Sequence, residues 1–267
     1  MNRLNDTFAK LKLAQQKALI PYFCAGDPDV SQSALVMHEA VRAGAHIIEL
    51  GIPFSDPAAD GLTIQQAHER ALAKGVGLRD VLSVVKTFRQ QNQHTPVILM
   101  GYLNSLERMG ADKALSAMQE AGVDGTIIVD MPLEALPDYQ ALFEQHQIAP
   151  IMLIAPTTNL QRRQKILEVA RGFVYFISLK GVTGEQQANA DAIHQELNQV
   201  REQSALPVCV GFGIKDGQSA FAMSQYADGV VIGSAFVAHL HQAATQGKSL
   251  PQSAFQFIHS ISQTLNP

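Results

Sequence analysis

Ile47-Ile48-Glu49-Leu50-Gly51-Ile52-Pro53-Phe54-Ser55-Asp56-Pro57-Ala58-Ala59-Asp60-Gly61 is a short apolar run that opens into a loop punctuated by proline and glycine. The run has the length and composition of a buried strand, and the Pro/Gly loop ends it. Glu49 interrupts the run. An ionised carboxyl inside an apolar strand is costly unless it is paired, protonated or put to use. Glu49 is therefore either a paired structural acid or a catalytic one whose pKa is raised by its surroundings. The loop then brings a second carboxylate, Asp60, back within reach of the first.

Similar apolar runs recur on both sides of this stretch. Strands are expected at Leu19–Cys24, Ile47–Leu50, Val97–Met100, Thr126–Val129, Ile151–Ile154, Val174–Ile177, Val208–Val210 and Val230–Ile232. Amphipathic helical patterns lie between them, at Ser33–Ala43, Asp80–Gln91, Ala111–Ala121, Leu136–Gln145, Leu160–Ala170, Ala190–Gln203 and Gln218–Gln225. Gly44 and Gly122 follow Ala-rich helices, as left-handed C-caps do, and Asp29 or Ser31 is placed to cap the helix after the first strand. Strand–helix alternation implies parallel pairing through right-handed crossovers. Eight such units in an uninterrupted chain predict an α/β fold, a single (β/α)8 TIM barrel over residues 1–267, with an extra N-terminal helix. A doubly wound sheet is the alternative, but it would carry its phosphate loop after the first strand, and here the glycine turns fall late.

The chain has 267 residues, 46% of them hydrophobic and 16% charged, enough for one large core. A net charge of −4 gives no basic face for nucleic acid. No apolar run reaches the length of a membrane span, and residues 1–16 lack a signal-peptide core, so a cytoplasmic enzyme is expected. Cys24 and Cys209 lie in strand-like runs and read as core thiols rather than a disulfide. His239 and His241, two apart, would point in different directions on a helix, so no metal site is expected.

Three glycine-bearing turns follow the last three strands: Lys180-Gly181-Val182-Thr183-Gly184, Gly211-Phe212-Gly213-Ile214 and Gly233-Ser234-Ala235. Barrels bind phosphate on the loops after strands 7 and 8, where backbone N–H groups and a helix N-terminus meet the anion. The expected cradle is Gly184, Gly213, Gly233 and Ser234. No P-loop is present, so a nucleotide is not indicated.

With these blocks in view, the chain resembles the alpha subunit of tryptophan synthase. The resemblance runs from the Leu19-Ile20-Pro21-Tyr22-Phe23 strand to Gly233-Ser234. It is carried by Ala25-Gly26-Asp27-Pro28, the Glu49-to-Gly61 block, Met100-Gly101-Tyr102-Leu103-Asn104, Val129-Asp130-Met131-Pro132, Ser178-to-Gly184 and Gly211-Phe212-Gly213-Ile214. It implies a barrel lyase that cleaves indole-3-glycerol phosphate to indole and glyceraldehyde 3-phosphate in tryptophan biosynthesis. It also implies a beta partner carrying pyridoxal phosphate in an alpha2-beta2 heterotetramer, with no cofactor in this chain. By the same resemblance Glu49 is the general acid–base and Asp60 holds the ring nitrogen, the loop acid ionising more readily than the strand acid. Tyr175 stands beside the active site, unless it serves only to pack the barrel. Thr183 belongs to a closing lid, and Tyr22, Met100, Ile127, Leu153 and Phe212 line the indole pocket. Asp130 either accepts from a loop hydroxyl such as Thr183 or caps a turn. The segments Phe54–Gly61 and Leu179–Ala190 are the expected lids, with Phe54, Asp56, Pro57 and Asn104 facing a partner. The chain departs from the family pattern with Tyr22 for Phe, Leu62 and Ser105 for Pro, and Leu179 for Arg. Two other readings compete: an imine-forming aldolase using Lys180, and an idle barrel that only activates a partner.

Overall fold

The computed structural model describes residues 3–177, 186–211 and 213–267. Among them are nine short strands and twelve helices in near-regular alternation. The strands are β1 (Ala18–Cys24), β2 (Ile48–Gly51), β3 (Val97–Gly101), β4 (Gly125–Ile128), β5 (Ala149–Pro150), β6 (Met152–Ile154), β7 (Val174–Phe176), β8 (Val208–Val210) and β9 (Gly229–Ile232). Every neighbouring pair is parallel, in the order β5-β4-β3-β2-β1-β9-β8-β7-β6.

The two ends of that order, β5 and β6, are halves of one run separated by Ile151. β5 pairs with β4 and β6 pairs with β7. The sheet thus closes through the chain itself into a barrel of eight staves. Pro150 has no N–H to give to a ladder, and the pairing changes partner beside it. Ile151 N–H still reaches Thr126 O at 3.0 Å. The eight expected strands correspond to these staves, the fifth being split.

The expected caps are present. Asp29 accepts from Ser31 N–H at 2.9 Å to start α2 (Val30–Arg42), and Gly122 closes α6 (Ala111–Ala121) with φ +86°. Four helices do not appear among the patterns read from sequence: α3 (Leu62–Leu72), α5 (Leu103–Glu107), α11 (Ser234–Thr245) and α12 (Leu250–Leu265). The first of these buries only Ala67, His68 and Ala71, so its apolar stripe is too weak to stand out. Leu62 occupies its first helical position after the Gly61 cap, a position that tolerates proline.

The extra N-terminal helix, α1 (Arg3–Leu13), lies across the N-terminal end of the barrel. It buries Leu4, Phe8 and Leu11, and Phe8 meets Phe173 with ring centres 5.8 Å apart. Beneath it is a buried carboxylate, Asp124, the residue before β4. Asp124 accepts from Arg3 at 2.8 Å, from Arg89 at 2.8 Å and from Val97 N–H at 2.8 Å. Asp124 thus ties α1, α4 (Leu78–Arg89) and β3 to one point. Asp124→Ala leaves the buried Arg89 guanidinium without its counter-ion and is expected to cost about 3 kcal/mol or more in urea unfolding. Arg3→Ala removes a partly exposed partner and is expected to cost under about 1 kcal/mol.

Candidate active site

Alternate residues of a barrel strand point inward. Tyr22 stands in register with Glu49, and Gly51 with Met100 and then Ile127. On the opposite wall Leu153, Tyr175 and Cys209 share a level. The inward direction is fixed by close approach: a β-carbon on Gly51 would lie 2.9 Å from Cζ of Tyr22, and one on Gly211 would collide with the Tyr175 phenol. Two tyrosines therefore cross the barrel mouth over glycines that leave them room.

Glu49 is 1% exposed, and neither carboxyl oxygen has a hydrogen-bond partner among the described residues. Burial, with the nearby Asp60 charge second, pushes its pKa up to about 8. The group is therefore neutral near pH 7 and holds a proton to give. The Tyr22 hydroxyl is likewise buried without a partner among the described residues. Burial raises both Tyr22 and Tyr175 well above the ordinary phenol value, so both stay neutral.

Asp60 lies on the polar loop where it is expected, with its side chain only 4% exposed. Tyr102 O–H donates to Asp60 Oδ2 at 2.7 Å and accepts from Ala59 N–H at 3.1 Å. The Tyr102 ring stacks on Phe54 with centres 4.7 Å apart. His68, on α3, places Nε2 3.5 Å from the same Asp60 oxygen. Its Nδ1 accepts from Phe54 N–H at 3.1 Å. Helix α3 is itself strapped to the loop after β1 by a two-pronged Arg70–Asp27 ion pair at 2.7 and 2.8 Å. Tyr102 and His68 are the residues that sequence reasoning missed. Tyr102 lies in a block that carries the resemblance, and His68 is the one polar side chain among the buried positions of α3; both signals were available.

The structure brings most of the expected pocket together. Tyr22 and Ile127 are fully buried, while Met100, Leu153 and Tyr175 are partly buried against the core. Asp130 is exposed and accepts from Leu103 N–H at 2.7 Å, capping the turn into α5. Cys24 and Cys209 are free, buried thiols.

Gly233 caps α11, and Ser234, exposed, is its first residue. The free N–H groups of a helix's first turn and its positive dipole end favour an anion there. Gly213, on the neighbouring loop, is exposed with φ +65°, a conformation that any side chain would strain. Gly184, Thr183, Lys180 and Phe212 lie outside the described residues.

The family profile described as "Tryptophan synthase alpha chain" matches residues 8–265. The tryptophan synthase alpha chain of Paraburkholderia phymatum is 47% identical over 266 residues, covering 100% of this chain and 97% of that one. That of Laribacter hongkongensis is 47% identical and covered in full on both sides. Among solved structures, the alpha subunit from Legionella pneumophila strain Paris superimposes with a TM-score of 0.94 at 39% identity, covering 100% of this chain and 99% of that one. A chain of the aminoacrylate-bound tryptophan synthase of Mycobacterium tuberculosis gives 0.88 at 32% identity, with 99% and 100% covered. With the family profile matched over residues 8–265 and relatives 47% identical across the chain, on a barrel that superimposes on that of a solved alpha subunit, the chain belongs to the tryptophan synthase alpha chain family.

Proposed function

We propose that Glu49 and Asp60 divide between them the reaction that goes with this family, the retro-aldol cleavage of indole-3-glycerol phosphate to indole and glyceraldehyde 3-phosphate. The observation that carries the division is the setting of Glu49: buried, without a hydrogen-bond partner among the described residues, and with its pKa raised by burial.

Indole leaves poorly as a carbanion. Protonation of ring carbon C3, which bears the glycerol phosphate chain, turns the ring into a cation able to take back the bonding electrons. Glu49 delivers that proton. The carboxylate it becomes then takes the proton from the hydroxyl on the adjacent side-chain carbon. The C–O bond becomes a carbonyl, the carbon–carbon bond breaks, its electron pair restores the aromatic ring, and Glu49 ends protonated as it began. Asp60 accepts from the ring N–H and stabilises the positive charge that develops there. The apolar walls, with Tyr22, Met100, Ile127, Leu153 and Tyr175, hold the flat ring. Gly213, Gly233 and Ser234, joined by Gly184, take the phosphate through backbone N–H groups, and Thr183 closes the lid.

Membership of an alpha-chain family implies a beta-subunit partner. We place it on the face carrying the exposed Asp56 and a groove of about 660 Å³ lined by Phe54, Ser55 and Asn104. The further reading is an alpha2-beta2 heterotetramer with pyridoxal phosphate in the beta subunit. In it, residues 1–267 act as one cytoplasmic catalytic domain.

Glu49→Gln is expected to lower kcat by about 10²–10⁴-fold or more with little change in substrate binding. In the wild type, kcat/KM should fall above about pH 8 as the proton donor ionises in the free enzyme. A variant that keeps most of its turnover sinks the assignment. Asp60→Asn should be strongly impaired at unchanged fold, because it loses the charge opposite the ring cation.

The same group governs a stability profile. The folded chain keeps the Glu49 proton up to about pH 8, whereas the unfolded chain releases it near 4.5. Between these values unfolding releases a proton, so this contribution to stability falls as pH rises and levels off above about 8. Glu49→Gln should therefore gain on the wild type across that window, by an amount on the order of a few kcal/mol, read as melting temperature against pH. Parallel curves would show that the carboxyl is not held neutral.

For the cradle, a β-carbon on Gly233 would lie 3.4 Å from the Tyr22 ring. Gly233→Val is expected to raise KM about tenfold or more, by crowding the anion from its N–H donors. An unchanged KM in a folded variant refutes that placement.

A further inference from the structure

His68 is 1% exposed, on the buried face of α3, with a single hydrogen bond among the described residues: Nδ1 accepts from Phe54 N–H. An accepting Nδ1 carries no proton, so in the neutral ring the proton sits on Nε2. That N–H has no acceptor within hydrogen-bonding range among the described residues. The atom it faces is Asp60 Oδ2, at 3.5 Å. One imidazole therefore touches both ends of the loop that carries the second acid, its start at Phe54 and its end at Asp60.

The two oxygens of Asp60 are not equivalent. Oδ2 takes the Tyr102 hydroxyl at 2.7 Å and is the oxygen that faces His68. No hydrogen bond from the described residues reaches Oδ1. The Tyr102 hydroxyl bond and the facing His68 Nε2 lie on the Oδ2 side of the carboxylate, and Oδ1 is left without a donor among the described residues. A carboxylate that must meet one N–H of a flat ring benefits from that, because a fixed acceptor needs no reorganisation as charge develops. At 3.5 Å the Nε2 contact is longer than a formed hydrogen bond, and catalytic hydrogen bonds commonly tighten in the substrate complex.

We propose that His68 is a positioning residue for the cleavage reaction: through its Nε2 proton it sets the rotation of Asp60, turning Oδ2 toward His68 and Tyr102 and leaving Oδ1 for the ring N–H of the substrate. The inference rests on the role given to Asp60 above.

Two substitutions separate the two contacts. Asparagine at 68 places an acceptor where Nδ1 is and drops the Nε2 donor. Glutamine places a donor where Nε2 is and drops the acceptor. With the full chain and indole-3-glycerol phosphate, His68→Asn is expected to lower kcat about tenfold, with KM within about twofold and an unchanged melting temperature. His68→Gln is expected to restore most of that kcat, even where its melting temperature falls. Equal loss in both variants, or loss that tracks melting temperature, means that His68 only packs the loop and overturns the proposal; so does wild-type kcat in His68→Asn. Long-range proton–nitrogen NMR of the wild-type imidazole, assigned by difference against either variant that folds, supplies a reading independent of activity. A ring protonated on Nε2 is expected, and one protonated on Nδ1 overturns the proposal whether or not the variants fold. Asp60→Asn is run alongside. If it is near wild type, the role of Asp60 fails; if it is inactive while His68→Asn is normal, the inference about His68 fails alone.

Discussion

A closed parallel sheet gives each strand residue only two directions, into the barrel or out toward the helices. That constraint decides what becomes of Glu49. Ile48 and Leu50 face the helix layer, so the residue between them must face the interior, in register with Tyr22 on one side and Ile98 on the other. Water has been replaced there by aromatic and aliphatic walls, and no cation or N–H donor among the described residues meets the carboxyl. Neutralisation by a proton is the remaining way to bear the burial. The chemistry assigned to the residue, delivering and recovering one proton, is a direct use of the state that the fold imposes.

The second acid is also enclosed, but it is provided for. Asp60 comes from a loop, and its carboxylate is met by the Tyr102 hydroxyl and faced by His68, while that loop is pinned at Phe54. The two carboxyl groups are thus distinguished by what surrounds them: Glu49 has no donor among the described residues and a raised pKa, whereas Asp60 accepts from the Tyr102 hydroxyl. Such a separation is what allows one acid to move protons while the other answers a positive charge. The scaffolding behind it extends outward through α3 to the Arg70–Asp27 pair, which fixes the helix against the loop after β1.

Much of this was legible in the residues. Eight short apolar runs alternating with amphipathic segments require parallel pairing, and the late glycine turns favour a barrel over a doubly wound sheet. Glu49 announced itself by breaking an apolar run. What sequence patterns did not show is what depends on loop geometry. The loop after β2 looks polar because it is rich in Ser, Asp and Pro, yet Asp60 folds back under Tyr102. His68 reads as one of several polar residues in a short helix, and only the fold shows that it touches both ends of that loop. Helix α3 escaped notice for a related reason: small buried residues give a faint period, although Ala67 and Ala71 are what allow the helix to pack closely.

The barrel also buries the carboxylate of Asp124, and the contrast with Glu49 shows how the two ends of the molecule differ. Asp124 lies at the N-terminal end and receives three donors, Arg3, Arg89 and the Val97 N–H. Its charge is answered and its role is to hold α1, α4 and β3 together. Glu49 lies toward the end where the loops gather and receives none from the described residues. Both carboxyl groups bear a desolvation cost of the same kind. At the base the cost is offset inside the fold by satisfied hydrogen bonds. At the mouth it is borne by a carboxyl whose pKa burial has raised and which has no donor among the described residues, the setting that suits the proton transfers proposed for it.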